Sequence, residues 1–248
     1  HRYNLNHVKI SNKIQTNGLI INEDWGDFFR KHSFLIGVSV DGTKETHDQC
    51  RHTKAGSPTY EQVLESIQML AFHHVEYNIL TVVNAYTAPK IREIYADYKE
   101  KGWNFQQYIA CLDPLGAENA ALPHSLTPEI YGEFLVTLFD MWYKDWRRGK
   151  APCIRDFENY IGIAMGYPPE ACSQRGNCSI QGVVEADGSV YPCDFYALDE
   201  YRLGNFNIDK PQSFFENERA RNFINESKKI SDSCKICPHY VLCRGGCR

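Results

Sequence analysis

The chain has 248 residues, of which 43% are hydrophobic, 23% charged and 13% aromatic, with 17 Gly and 11 Pro; that is enough to bury a sizeable core without staples, and it excludes disordered and collagen-like chains. Against 31 Asp and Glu stand 27 Lys and Arg, a formal charge of −4, and no basic run is long enough to track a phosphate backbone, which disfavours nucleic acid as a partner. No apolar run approaches the roughly 18 to 20 residues that cross a bilayer, and His1-Arg2-Tyr3-Asn4 holds neither the apolar core of a signal peptide nor a starting Met, so the reading is a soluble, cytoplasmic chain with a cut beginning and no membrane partner.

Short apolar strands alternate with longer helical segments, the pattern of βα units and a mostly parallel sheet. Lys13 to Thr16 reads as the first strand and stops at Asn17-Gly18; a helix follows from Asn22 to Lys31 behind an Asn cap. Phe34 to Val40 is the second strand, ending at Asp41-Gly42, and Thr59 to His73 the second helix. Ile79 to Asn84 and Phe105 to Cys111 are the third and fourth strands, separated by a helix from Pro89 to Lys101 with Pro in its first turn. Polar residues at the carboxyl ends of parallel strands form the natural ligand face, so Ser39, Asn84 and the Gln15-Thr16-Asn17 tip are site candidates, with strand or helix capping as the competing role. After Leu112 comes a loop with Asp113, Pro114, Gly116 and Pro123, then amphipathic helices from Thr127 to Arg148 and Ile154 to Met165 that bridge to a cysteine-rich end. Four βα units do not close an eight-stranded barrel and leave an unprotected edge, so a missing part is expected upstream of His1.

Seven of the ten cysteines fall in the last 77 residues. Cys234, Cys237, Cys243 and Cys247 lie in CKICPHYVLCRGGC, where Pro238, Gly245 and Gly246 supply turns. Cys172, Cys178 and Cys193 form a second group, the last two bracketing a hairpin in which Val183-Val184-Glu185 and Ser189-Val190-Tyr191 flank an Asp187-Gly188 turn. Disulfides of Cys-x-x-Cys type are strained and reducible, whereas thiolates on a turning backbone converge on one soft cation or one iron–sulfur cube; zinc and iron compete for the role. Two four-thiolate sites need eight ligands and this region has seven. Cys50, Cys111 and Cys153 are isolated and read as small buried apolar residues. Two other features point away from ligation: His73-His74 and His239 read as surface or packing residues, and Trp142, Tyr143 and Trp146 as packing surface between domains.

Taken together the chain resembles the radical S-adenosylmethionine (SAM) enzymes with a SPASM auxiliary-cluster domain, and within them the anaerobic sulfatase-maturating enzymes. The resemblance spans essentially the whole sequence. It is carried by Cys-x9-Gly-x4-Cys from Cys178 to Cys193, by Cys-x2-Cys-x5-Cys-x3-Cys from Cys234 to Cys247, and by YPCDFYALDEYRLGN from Tyr191 to Asn205. SVDGTKETHDQCR from Ser39 to Arg51, QTNG from Gln15 and QQYIACLDP from Gln106 add to it. The fold it implies is the C-terminal part of a partial (β/α)6 barrel over residues 1–125, a helical bridge over 126–170 and a SPASM domain with a β-hairpin over 171–248.

The resemblance implies two auxiliary [4Fe–4S] clusters here, one on Cys172, Cys178, Cys193 and Cys247, the other on Cys234, Cys237 and Cys243. In the family a further downstream cysteine completes the second, and this sequence stops at Arg248. The family's Cys-x3-Cys-x2-Cys loop for the SAM-cleaving cluster has no counterpart, so the sequence is expected to be a fragment that does not cleave SAM by itself, the third cluster belonging to the missing N-terminal part. The implied reaction oxidises a sulfatase Cys or Ser to Cα-formylglycine: a SAM-derived radical takes a Cβ hydrogen, a base takes the thiol or hydroxyl proton, and the remaining electron leaves through the auxiliary clusters. Asp194 matches the family's base, Ser39 its ribose contact, Arg51 its partner for the methionyl carboxylate and Leu112 its adenine contact. Expected partners are a sulfatase polypeptide and an electron donor such as flavodoxin or ferredoxin. Another SPASM enzyme forming thioether or carbon–carbon bonds in peptides, and a zinc-binding interaction module, are the alternative readings.

Overall fold

The computed structural model describes residues 4–114 and 122–247, so the Gly116 part of the expected loop and the ends at His1 and Arg248 lie outside the described residues. The chain separates into two compact units, His1–Phe157 and Glu158–Arg248. No helix among the described residues is long and apolar enough to cross a membrane.

The first unit is a five-stranded parallel sheet in sequence order. Its elements are β1 (Asn12–Thr16), α1 (Glu23–Lys31), β2 (Phe34–Ser39), α2 (Lys44–Cys50), α3 (Tyr60–Phe72), β3 (Glu76–Val83), α4 (Ile91–Glu100), β4 (Phe105–Ala110), α5 (Pro128–Trp146) and β5 (Cys153–Ile154). Strand alternation sorts the two faces. Ile36, Val38, Ile79, Val83 and Tyr108 are buried on the helix-covered face, where Thr81 meets Tyr98 of α4 and Tyr108 packs edge-on against Phe134 of α5. Register places Gln15 beside Gly37, Gly37 beside Asn78, Ser39 beside Leu80 and Leu80 beside Gln107 on the opposite face. That second face mixes Gln15, Ser39, Asn78 and Gln107 with Leu35, Leu80, Val82 and Ile109, and Arg155, next after β5, donates from Nη1 to Gln107 at 3.1 Å. A parallel sheet clothed by helices on one face is the architecture of a barrel segment, as the fold reading required.

Local chemistry accounts for the helix ends. Asn22 caps α1 by accepting from the Trp25 amide at 3.1 Å, and Thr127 caps α5 by accepting from Ile130 at 3.3 Å. Pro89 sits in a 3₁₀ turn over Ala88–Lys90 just before α4 rather than in the α-helix itself. Two elements depart from the sequence reading. Cys153–Ile154 is a fifth strand paired with Phe105–Gln106, and helix α6 (Arg155–Ala164) begins only after it; two residues are too few to display a period. The polar heptapeptide Lys44–Cys50 is helical, with its own Thr46 and His47 turned into the protein interior. Trp142 is not surface: it is 2% exposed, donates from Nε1 to the Pro152 carbonyl at 3.0 Å and packs on Phe157, while Tyr143 and Trp146 are exposed. His73 does pack, filling the space beside Gly26 and pairing through Nδ1 with Asp27 at 2.9 Å.

In the second unit a three-stranded antiparallel sheet joins β6 (Val183–Val184), β7 (Ser189–Tyr191) and β8 (Gly204–Asn205). The Asp187 carboxylate accepts from the Ser189 amide and hydroxyl at 2.9 and 2.8 Å and Gly188 takes φ +83°, which makes the hairpin turn expected from Asp-Gly. The third strand was not expected; Asn205 and Asn207 staple it to the turn by donating to the Asp187 carbonyl, each at 3.0 Å. Short helices α7 (Ser213–Glu216), α8 (Glu218–Ser227), α9 (Asp232–Lys235) and α10 (Tyr240–Cys243) follow. Val190, Leu203, Phe214 and Ala220 form the core cluster of the sheet, with Ile180 against it. So lean a core is typical of small units that lean on metal centres or cross-links for stability.

Candidate functional site

At the carboxyl end of β2 the sequence Ser39-Val40-Asp41-Gly42 turns into α2, and the turn is held from three sides. Tyr98, fully buried, accepts from the Gly42 amide and reaches the Val40 carbonyl, both at 2.9 Å. Gly42 has φ +93°, and a Cβ there would meet Ile94 Cδ1 at 2.7 Å, so only glycine passes. The Asp41 carboxylate, 3% exposed, prolongs the sheet by accepting from the Val82 amide at 2.9 Å and binds Arg51 Nε at 2.7 Å. Arg51 is therefore a half-buried, paired cation at the strand ends and not a solvated loop residue. Ser39 stands in the same turn, half-buried, on the face of the sheet opposite the helices.

The other strand-end candidates divide. Asn84 spends its carboxamide oxygen on the amides of Tyr86 and Thr87, at 2.9 and 3.0 Å, and its Nδ2 on Cys50 Sγ at 3.6 Å, which is capping. Thr16 and Asn17 likewise accept from Gly18 and Leu19 and build the tip of β1. Leu112 is exposed, just past β4; beside it the Asp113 carboxylate accepts from Ser125 Oγ at 2.7 Å. Cys50 and Cys111 are half-buried, not fully buried as expected, and lie at this same end of the sheet; burial raises both thiols. Cys153 is half-buried as well. Sequence reasoning missed Asp41 and His47 here, although an acidic residue directly after a buried strand was a visible signal.

In the second unit four cysteines drawn from three separate stretches of the chain line one cavity that is partly open to solvent. They are Cys172, Cys178, Cys193 and Cys247, and Asp194, Phe195, Tyr196 and Ser227 complete the wall. Cys172 opens a 3₁₀ turn; Cys178 is tied down by its amide, which donates to Ser227 Oγ at 2.8 Å. The bond from the Gln181 amide to the Pro192 carbonyl, 2.8 Å, extends the hairpin pairing and brings the Cys178 and Cys193 ends together. Cys247 arrives because the Arg244 turn packs on Gly176, whose φ is +78° and whose missing Cβ would lie 3.0 Å from Arg244 Cβ. Cys193 Sγ donates to Asp194 Oδ1 at 3.1 Å; burial, with that bond second, pushes the thiol up to about 12. Asp194 Oδ1 also accepts from the Phe195 amide at 3.1 Å. Cys234, Cys237 and Cys243 lie on three successive turns, closed by Cys237 N to Cys234 O at 3.3 Å, Tyr240 N to Cys237 O at 3.1 Å and Gly246 N to Cys243 O at 2.8 Å. Among the described residues no three His, Cys, Asp or Glu side chains are grouped for a single metal ion; the four thiols ring a cavity instead.

Residues 172–238 match a family model described as the SPASM iron–sulfur cluster-binding domain. Over its full length the chain is similar to the cysteine-type anaerobic sulfatase-maturating enzymes of Clostridium novyi (43% identity, 66% of that protein covered) and Clostridium perfringens (41%, 67% covered). The chain belongs to the anaerobic sulfatase-maturating enzymes. It spans about two thirds of the length of these relatives. A solved structure of such a maturase, anSMEcpe with bound AdoMet, superposes on all of this chain and 68% of its own with a TM-score of 0.96 at 42% identity, and the same maturase is also solved with AdoMet and a Kp18Cys peptide.

Proposed function

We propose that this chain is the strand-end and auxiliary-cluster portion of a radical SAM enzyme that converts a cysteine of a sulfatase polypeptide to Cα-formylglycine. The observation that carries the reading is the cavity ringed by Cys172, Cys178, Cys193 and Cys247 with the Asp194 carboxylate in its wall. Four soft sulfur donors lining one cavity, no three of them grouped for a single ion among the described residues, suit a [4Fe–4S] cluster better than zinc, and Cys234, Cys237 and Cys243 supply three thiolates toward a second. When bound, SAM supplies the means of breaking an unactivated Cβ–H bond and the clusters a route out for the electron, with a flavodoxin- or ferredoxin-like protein as the reductant.

The protein's own part is position and proton transfer. A thiol must lose its proton to ligate iron. Ligation at Cys193 therefore removes the donor that Asp194 Oδ1 has from that thiol, leaving the Phe195 amide to orient the carboxylate while Oδ1 takes the proton from the substrate thiol. In the first unit Arg51, oriented by Asp41, offers a guanidinium to the methionyl carboxylate of SAM, Ser39 a hydroxyl to the ribose, and Leu112 an apolar contact to the adenine. Support for SAM and a peptide as ligands comes from the maturase solved with both. The cysteine-type relatives favour cysteine over serine as the target.

The test is anaerobic assay of the whole enzyme for SAM-dependent aldehyde formation on a sulfatase-motif peptide carrying cysteine. Asp194→Asn should abolish the aldehyde while iron and sulfide content stay at the wild-type level. Full activity of that variant would remove Asp194 as the base, and a peptide product cross-linked without aldehyde would place the enzyme among the thioether or carbon–carbon bond formers.

A further inference from the structure

A closed circuit of hydrogen bonds runs behind the strand-end site. The Asp41 amide donates to His47 Nδ1 at 3.2 Å; His47 Nε2 lies 3.1 Å from Thr59 Oγ1; the Thr59 hydroxyl donates to the Arg51 carbonyl at 3.1 Å; and Arg51 Nε returns to the Asp41 carboxylate at 2.7 Å. The donors leave one consistent assignment. An amide can only donate, so Nδ1 is the bare nitrogen; the Thr59 proton goes to Arg51, so Nε2 carries hydrogen and donates to Thr59. Thr59 is itself anchored, since Asp48 Oδ1 accepts from the Thr59 and Tyr60 amides at 3.0 and 2.9 Å. His47 is fully buried with the Tyr60 ring edge-on to it at 5.5 Å, and it touches no solvent. Side chains buried this completely, with both nitrogens engaged, hold backbone rather than bind ligand.

We propose that His47 is a positioning residue for SAM: by bridging the Asp41 amide and, through Thr59, the Arg51 carbonyl, it fixes the backbone on both sides of the Asp41–Arg51 pair and so the orientation in which the guanidinium meets the methionyl carboxylate. The proposal rests on the reading of Arg51 as that carboxylate's partner. His47 acts through Arg51 alone, which separates it from a residue that only keeps the unit folded.

The experiment uses the whole, anaerobically reconstituted enzyme with the variants His47→Phe, Thr59→Val, Thr59→Ser, Arg51→Ala and the double variant of His47→Phe with Arg51→Ala. SAM affinity is read by equilibrium dialysis, kcat at saturating SAM by aldehyde formation, and folding by thermal melting. His47→Phe is expected to weaken SAM binding about tenfold, and Thr59→Val about threefold, with kcat at saturation within about twofold of wild type and Thr59→Ser restoring the affinity. In the Arg51→Ala background, adding His47→Phe should weaken SAM binding by less than about twofold, the non-additivity expected of residues acting in series. Unchanged SAM affinity in Thr59→Val and His47→Phe, whatever their melting temperatures, overturns the proposal while leaving Arg51 in place if Arg51→Ala binds SAM weakly. An equal loss from His47→Phe with and without Arg51 overturns it too. Unchanged affinity in Arg51→Ala overturns the Arg51 reading itself. Should His47→Phe not fold, the Thr59 pair decides alone.

Discussion

Replacing Tyr98 by Phe isolates one hydroxyl that ties the helix layer to the strand-end turn. Three close pairs surround it: Thr81 Oγ1 at 2.7 Å, the Val40 carbonyl at 2.9 Å and the Gly42 amide at 2.9 Å. Thr81 also reaches the Val40 carbonyl, at 2.8 Å. Two hydroxyl protons cannot fill all the oxygen–oxygen pairs at once, and Thr81 can satisfy Val40 without Tyr98. The Gly42 amide has no such substitute, so the Tyr98→Phe variant leaves it buried and unpaired. Leaving a buried donor unsatisfied costs about 1–3 kcal/mol, and the ring itself keeps its packing, so Tyr98→Phe should destabilise by about 2 kcal/mol. Urea unfolding followed by fluorescence, with the slope of the transition unchanged, measures it. A loss below about 0.5 kcal/mol would mean that water or a shifted turn satisfies Gly42, and the account of this turn as locked from the helix layer would be wrong.

Other perturbations have calculable signs. Burial lowers His47 from the ordinary 6.5 to about 4, so between those pH values the unfolded chain holds the extra proton, and stability falls as pH drops through the window by up to about 3 kcal/mol; His47→Phe should remove that slope in urea titrations at stepped pH. Asp156 works in the opposite sense: burial raises its carboxyl to about 6, and Oδ2 is buried without a hydrogen-bond partner among the described residues, so stability falls as pH rises from about 4 to 6. Asp156→Asn should stabilise the protein near neutral pH by about 1–2 kcal/mol and have little effect at pH 4, and equal melting shifts at both pH values would count against it. Gly176→Val strains a φ of +78° and pushes on the Arg244 turn; iron and sulfide analysis after anaerobic reconstitution should show loss of about four irons per chain, as for Cys247→Ser, whereas full loading of Gly176→Val would mean that the turn does not deliver Cys247.

Much of the architecture was written locally. The apolar runs within Phe34–Ser39 and Glu76–Val83, the cap at Asn22 and the Asp187-Gly188 turn each depend on neighbours a few residues away, and the structure realises them. Cys153–Ile154 and Lys44–Cys50 were illegible for the converse reason: a two-residue strand has no period, and a polar helix is held by what lies beneath it, not by its own propensity.

The sites follow the same division. Spacing alone groups Cys247 with Cys234, Cys237 and Cys243, only a few residues away. It was the family resemblance that assigned Cys247 elsewhere, and the folded chain seats it at the cavity of Cys172, Cys178 and Cys193. A residue type and its spacing determine what a segment can ligate, because that depends on donor chemistry and turn geometry. Which distant donors meet is decided by the Gly176–Arg244 contact and the hairpin, and the Asp41–His47–Thr59–Arg51 circuit likewise exists only once α2 and α3 have docked. Convergence across the chain is a property of packing, and no local pattern encodes it.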